Sequence, residues 1–289
     1  MVRCSYKLEE SLRELWVPLS GAIAQQKNVE TIANNVANAN TPGFKKDQVV
    51  FKEYLAALEN SDKQGVDLPE KEWKPEDFYR SYNAEDSFVK VDGTYTVHEQ
   101  GQLTPTGNYF DNALSGPGFL EVLTPNGVRY SRKGAFSISN DGKLVTDQGF
   151  QVLSKDAPPI AGADGKMTLA TSPESRAINV GKGKFTISLE GEVFSAGNKI
   201  ADLSLVEFND VNALKKEGNS LFVNPDQKNI KIGGVKTSIH QGFVEQSNVN
   251  AVTEMSNLIN ANRNFESIQR VIKTYDNMSA KSVNEISKF

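Results

Sequence analysis

Cysteine is nearly absent: Cys4 is the one thiol in 289 residues, which excludes an intramolecular disulfide framework. Histidine is almost as scarce, with only His98 and His240. A His-rich metal site is therefore not expected, although carboxylate sites for hard cations stay open. A surplus of positive charge is missing as well. Lys and Arg number 32 against 36 Asp and Glu, a formal net charge of -4. That balance offers no basic face of the kind nucleic acid demands, so no nucleic-acid partner is expected. No apolar run approaches the roughly 20 residues of a spanning helix, so direct membrane insertion is not expected either. The charged opening Met1–Glu10 leads into no apolar stretch of about seven or more, the core of a cleaved secretory signal.

Catalytic patterns are missing too. There is no Gly-x-Gly-x-x-Gly or Walker-type phosphate loop, no His-Glu-x-x-His and no Gly-x-Ser-x-Gly elbow. His98 precedes Glu99, which invites an acid/base reading, but a lone His in a strand is more often packed than catalytic. His240 reads the same way. No catalytic residue, cofactor or metal ligand is assigned, and the chain is read as a non-enzyme.

What is present begins with a helix. Leu19, Ala22, Val29, Ala33 and Val36 recur at three-and-four spacing, with Gln26 the polar interruption, as on one helical face. Pro18, tolerated near a helix start, predicts a helix from about Pro18 to Asn38, roughly 30 Å long. Residues 1–14 are charged and could begin a helix of their own. Asn34, Asn35, Asn38 and Asn40 then weaken the helix, because their amides compete for backbone groups. Thr41-Pro42-Gly43-Phe44 follows: Pro42 cannot continue a helix, Gly43 frees φ for a sharp exit, and Phe44 is an apolar anchor. Phe51, Tyr54, Leu55 and Leu58 fit one face of a short helix.

Between residues 59 and 87 the chain turns acidic and proline-bearing, the mark of a linker or irregular surface insert. Trp73, Phe78, Tyr79 and Tyr82 keep a subunit-specific contact open there, since free linkers seldom carry so many aromatics. From Phe88 the period changes to two. Short strands are expected at 88–97, 118–123, 135–138, 144–145 and 150–153, punctuated by Pro125-Asn126-Gly127 and Asn140-Asp141-Gly142. After a loop-rich interval at 155–176, further strands are expected at 184–189, 192–195, 202–208 and 221–223. Asp210–Gly218 reads as a helical turn ending at glycine. At the end, Leu258, Ala261, Phe265, Ile268, Ile272, Tyr275, Ile286 and Phe289 form a heptad-like seam interrupted by Ser279 and Ser282. Helical from Val252, that segment would span on the order of 57 Å.

Three stretches carry a resemblance. Asn34-Asn35-Val36-Ala37-Asn38-Ala39-Asn40-Thr41-Pro42-Gly43-Phe44-Lys45 resembles the N-terminal signature of the flagellar rod and hook family. Gly101–Asn108, Asp111–Leu120, Tyr130–Phe136 and Gly142–Thr146 are similar to that family's central domain. They depart from it at Phe119-Leu120, Asn112 and Leu114. Gln241-Gly242-Phe243-Val244-Glu245-Gln246-Ser247-Asn248-Val249-Asn250, continuing to Arg263-Asn264-Phe265-Glu266, resembles its closing signature.

The resemblance implies an α+β chain: long N- and C-terminal helices paired as a coiled-coil-like axial domain, around a central antiparallel all-β domain. The expected division is an axial helix and turn over 1–44, a joint and charged linker over 45–87, a β domain over 88–240 with a split near 155–176, and an axial helix over 241–289. It implies assembly with itself and with neighbouring rod subunits, and passage through the flagellar type III export apparatus without a cleaved signal peptide. The implied assembly residues are Asn34, Asn35, Asn38, Thr41, Pro42, Gly43 and Phe44 at the first signature. Gln241, Gly242, Glu245, Ser247, Asn248 and Val249 are those of the second. Leu258, Arg263, Phe265, Ile268, Ile272 and Tyr275 follow on the last helix. Approach sequence and length favour a proximal rod member over a distal rod or short hook protein. A secreted β-rich glycan-binding or glycan-cleaving protein is the alternative of another class.

Overall fold

Helix formers dominate the first 37 residues, and helix α1 runs unbroken through Val2–Ala37. It begins well before the expected start, and Pro18 lies inside it rather than at its first turn. A proline costs a helix interior about 3 kcal/mol. The flanking Leu, Glu and Arg residues of 8–15 rank among the better helix formers, so the cost is met once while the helix continues on both sides. The computed structural model describes residues 2–56, 86–155, 160–161, 167–168, 173–181, 183–218, 220–231 and 236–286. The acidic insert with its four aromatics, and Phe289, lie outside the described residues.

The chain forms two units: Met1–Asn34, Asp47–Tyr95 and Val252–Phe289 make the first, Asn35–Lys46 and Thr96–Ala251 the second. In the first unit, α1 is accompanied by helix α2, Ala251–Ile286, and by a two-stranded ribbon of Asp47–Ala56 with Asp86–Thr96. The short helix expected around Phe51, Tyr54 and Leu55 is therefore a strand. Val49-Val50-Phe51 is β-branched and aromatic, and pairing with a second strand outweighs a weak helical spacing. Leu58 lies outside the described residues. The ribbon is tied to α1 where the Val89 amide donates to Ser20 Oγ at 3.3 Å.

Along α2 the less exposed positions include Glu254, Leu258, Ala261, Phe265, Ile268 and Ile272, spaced alternately four and three apart. On α1 Ala22, Ala24 and Thr31 are buried, whereas Ala33, expected on the apolar face, is exposed. The two helices are each 36 residues long, so α1 is not the shorter partner expected from a start at Pro18. They meet at Gly21, where a side chain would come 3.9 Å from Ile268 Cδ1.

The second unit is built on an eight-stranded antiparallel sheet. Its order is 215–217, 221–223, 127–131, 119–124, 151–152, 144–146 and 136–138, with 205–206 paired on 119–124. A three-stranded sheet of 185–187, 192–195 and 198–202 lies in the same unit. The Asp210–Gly218 turn is shorter than expected. Asp210 caps a single 3-10 turn over Val211–Ala213, after which Lys215–Glu217 becomes an edge strand. Leu114, Leu120, Val122, Leu144, Val152, Ile178, Phe185, Val193 and Ile239 share one core. Each such side chain contributes about 1.5–3 kcal/mol on burial. Phe119, Tyr130, Phe208 and Phe222 form a second, aromatic cluster, against which the His98 ring packs at 5.3 Å from Phe222. His98 is thus packed among aromatic rings.

Candidate functional site: the joining of the two signatures

Helix α1 ends at Ala37, where the asparagines begin to bond locally. The Thr41 hydroxyl donates to Asn38 Oδ1 at 3.1 Å, and the Phe44 amide returns to the Thr41 carbonyl at 3.2 Å. Gly43 takes φ 68°, a conformation that favours glycine, and its amide donates to the Glu245 carbonyl at 2.8 Å. A Cβ there would stand 3.0 Å from the Lys133 backbone, so the turn is pressed against the β unit. Pro42 sits half-buried, Asn34 exposed and Asn35 buried. The turn therefore delivers Phe44 and Lys45 inward, where both are buried.

The second signature comes to meet them. Strands Ser238–Gln241 and Phe243–Glu245 pair antiparallel with Asn112–Ser115 and Leu103–Pro105. Between them the Gly242 amide donates to the Asp111 carbonyl at 2.7 Å, and its own carbonyl accepts from the Thr106 amide at 2.8 Å. Gln241 is fully used: Nε2 donates to the carbonyls of Tyr109 and Phe185, and Oε1 accepts from the Ile187 amide. Asn248 spans both signatures, accepting from the Lys46 amide at 2.8 Å and donating to the Val97 carbonyl at 2.8 Å. Ser247 Oγ accepts from the Val249 amide at 3.2 Å just before α2, and Val249 is buried.

At the centre lies an ion group. Lys45 Nζ is 2.6 Å from Glu245 Oε1, with each side chain about 1% exposed. Arg132 Nε is 3.3 Å from Glu245 Oε2, and Arg132 Nη1 donates to the carbonyls of Gly116 and Gly118. Lys45 also donates to the Glu99 carbonyl at 2.7 Å, and the Gly101 amide donates to Glu245 Oε1 at 3.0 Å. Burial pulls the Lys45 pKa below the ordinary lysine value. The Glu245 carboxylate resists that shift, while Arg132 adds to it. Gly101 must lack a side chain, because a Cβ would fall 1.9 Å from the Gln246 carbonyl oxygen.

The structure thus brings Asn38, Thr41, Pro42, Gly43 and Phe44 together with Gln241, Gly242, Glu245, Ser247, Asn248 and Val249. Leu258, Arg263, Phe265, Ile268, Ile272 and Tyr275 lie apart from this joint, along α2. Of these, Arg263 and Tyr275 are exposed and the others half-buried. Sequence reasoning named Glu245 but missed the cations that hold the joint with it. Lys45 closed the quoted signature and Arg132 stood in a quoted stretch, but a cation in a sequence carries no mark of burial. Lys216, which donates to the Lys45 carbonyl, was hidden in the expected helical turn.

The geometry ties two stretches 200 residues apart in the chain to one another. Residues 17–45 match the model described as flagella basal body rod protein. Residues 113–195 match that of the flagellar hook protein FlgE/F/G D1 domain, and residues 240–286 that of the flagellar basal body rod FlgEFG protein C-terminal. The flagellar basal-body rod protein FlgG of Agrobacterium fabrum is 32% identical over 276 residues, covering 93% of this chain and 97% of the relative. That of Borreliella burgdorferi is 30% identical over 273 residues, covering 92% and 96%. The flagellar basal-body rod protein FlgF of Caulobacter vibrioides is 30% identical over 275 residues, covering 95% and 98%. Matched from its first signature to its last helix, the chain belongs to the flagellar basal-body rod protein family.

Proposed function

We propose that this chain, a structural subunit of the flagellar rod and not an enzyme, polymerises helically through its terminal helices into part of the torque-transmitting shaft. The observation that carries the reading is the apolar surface the helices leave in water. Trp16 and Ile23 on α1 are 59% exposed, and Val252, Met255, Ile259 and Met278 on α2 are more than half exposed. Among the described residues of one chain nothing covers them, whereas neighbouring copies would. Head-to-tail contacts that do not close generate a filament.

In this reading residues 1–44 and 241–289 pair as a coiled-coil-like axial domain, 88–240 form the outer β domain and 45–87 the joint and linker. The first-signature residues shape the exit from the axial helix, and Leu258, Phe265, Ile268 and Ile272 supply the axial seam. The partners are sister copies and other rod subunits in the basal body. The export apparatus of the flagellum delivers the chain without a cleaved signal. Mass spectrometry of purified basal bodies tests this directly: the product should be found there in stoichiometric amount, and its absence from intact basal bodies overturns the assignment.

A further inference from the structure

Lys45, Arg132 and Glu245 make an unbalanced group of two cations and one carboxylate, almost closed off from water. Both cations draw on the same carboxylate, since Arg132 Nη2 also lies 3.4 Å from the Oε1 that Lys45 holds. Their other partners are backbone carbonyls and, for Arg132, the Phe119 ring 5.6 Å away; these orient the cations but carry no opposite full charge. Without Glu245, two like charges would face one another in a medium of low dielectric, where repulsion is strong. Burial is the chief cause of the depressed Lys45 pKa, and the Arg132 charge adds to it.

The carboxylate comes last in the chain. Glu245 lies 200 residues after Lys45 and 113 after Arg132. It enters on the strand Phe243–Glu245, beside Ser238–Gln241, and these two strands supply the partners of 103–105 and 112–115. We infer that Glu245 is a closing counter-ion: repulsion between Lys45 and Arg132 keeps the 38–46 turn from settling on the β unit until the second signature docks. The joint is then a conformational gate that shuts only when nearly the whole chain is present. A buried ion group adds little net stability over an apolar one, because desolvation offsets attraction. Its particular effect lies in the incomplete state, which it penalises. The inference goes beyond the rod reading and concerns the closure of the β unit alone, so it stands or falls separately from filament formation.

The test uses the full chain with Glu245→Gln, Lys45→Met and the two combined, read by native-state hydrogen exchange. Glu245→Gln should speed exchange of the Phe44 and Val97 amides at least about 100-fold, as expected for stranding a buried charge. Adding Lys45→Met to it should recover at least about tenfold, since one of the two repelling cations has gone. If Glu245 were only a hydrogen-bonding anchor the losses would add, and a double variant exchanging as fast as Glu245→Gln overturns the inference. Should Glu245→Gln not fold, circular dichroism of the double variant decides: recovery of folded protein supports the gate, and none overturns it. Pulse labelling during refolding of the parent gives a second reading. Protection of the Val97 amide, bonded to the Lys46 carbonyl, should arise with or after that of Gln246; protection clearly before it overturns the order.

Discussion

Lys216 Nζ lies 3.8 Å from the centroid of the Phe44 ring, and the same ammonium donates to the Lys45 carbonyl at 2.7 Å. One side chain on an edge strand thus holds both the apolar anchor and the backbone of the first signature. Lys216→Met keeps much of the packing but removes the cation–π contact and strands a buried carbonyl. A loss of about 1–3 kcal/mol is expected, with Lys216→Arg recovering part of it. Urea unfolding followed by near-UV circular dichroism measures both; an unchanged midpoint for Lys216→Met contradicts the assigned hold.

Gly101→Ala places a methyl 1.9 Å from the Gln246 carbonyl oxygen, a backbone atom that cannot rotate away. The second signature must shift, at a cost of at least about 2 kcal/mol. Gly93→Ala meets nothing within 4 Å and should stay within about 0.5 kcal/mol of the parent. Thermal unfolding of the two variants side by side checks the contrast.

Glu207 is buried, and its Oε1 accepts from the Lys236 amide at 2.7 Å, the Thr237 amide at 3.1 Å and the Thr237 hydroxyl at 3.0 Å. Oε2 faces Lys231 at 3.1 Å. Burial on its own would raise the pKa, but the hydrogen bonds and the lysine outweigh it and hold the carboxyl below its ordinary 4.5. A carboxylate depressed by folding contributes stability in full above its unfolded-state pKa and loses it as pH falls through the folded-state value. Exchange at the Thr237 amide should therefore be flat from neutrality down to about pH 5, once corrected for intrinsic rates, and rise only below the ordinary carboxylate range. In Glu207→Gln the acid-dependent rise should vanish.

Phe265 is half-buried on the α2 seam, beyond the residues of the joint. Phe265→Asp should leave the β unit folded, by circular dichroism and protease resistance, and abolish incorporation into the rod. Normal swimming in soft agar by cells carrying only this variant would remove the seam from the proposed assembly role.

Much of the architecture was legible in one dimension, because it depends on local chemistry. Asn-Asp-Gly at 140–142 and the alternation on either side specify a hairpin whatever lies around them, and strands stand at 136–138 and 144–146. The α2 seam was legible for a similar reason, since repeated three-and-four spacing leaves few alternatives to a helix. The start of α1 was misjudged because Pro18 is a strong local signal that the Leu, Glu and Arg residues of 8–15 override. The ribbon strand at 47–56 was misjudged because its helical spacing was weak and its partner, 86–96, is distant in sequence.

The two signatures could be picked out one by one, because the side chains that carry them are consecutive in the chain. Their meeting could not. Nothing in the order of residues marks Lys45, Arg132, Lys216 and Glu245 as neighbours or as buried, since a charged side chain on paper looks like a solvated one. Composition, period and turn residues decided most of the helices and hairpins, while the strands at 47–56 and 215–217 depended on distant or later partners. Only the folded chain decided which charges leave water together, because desolvation and pairing depend on distance in space and not on distance along the backbone.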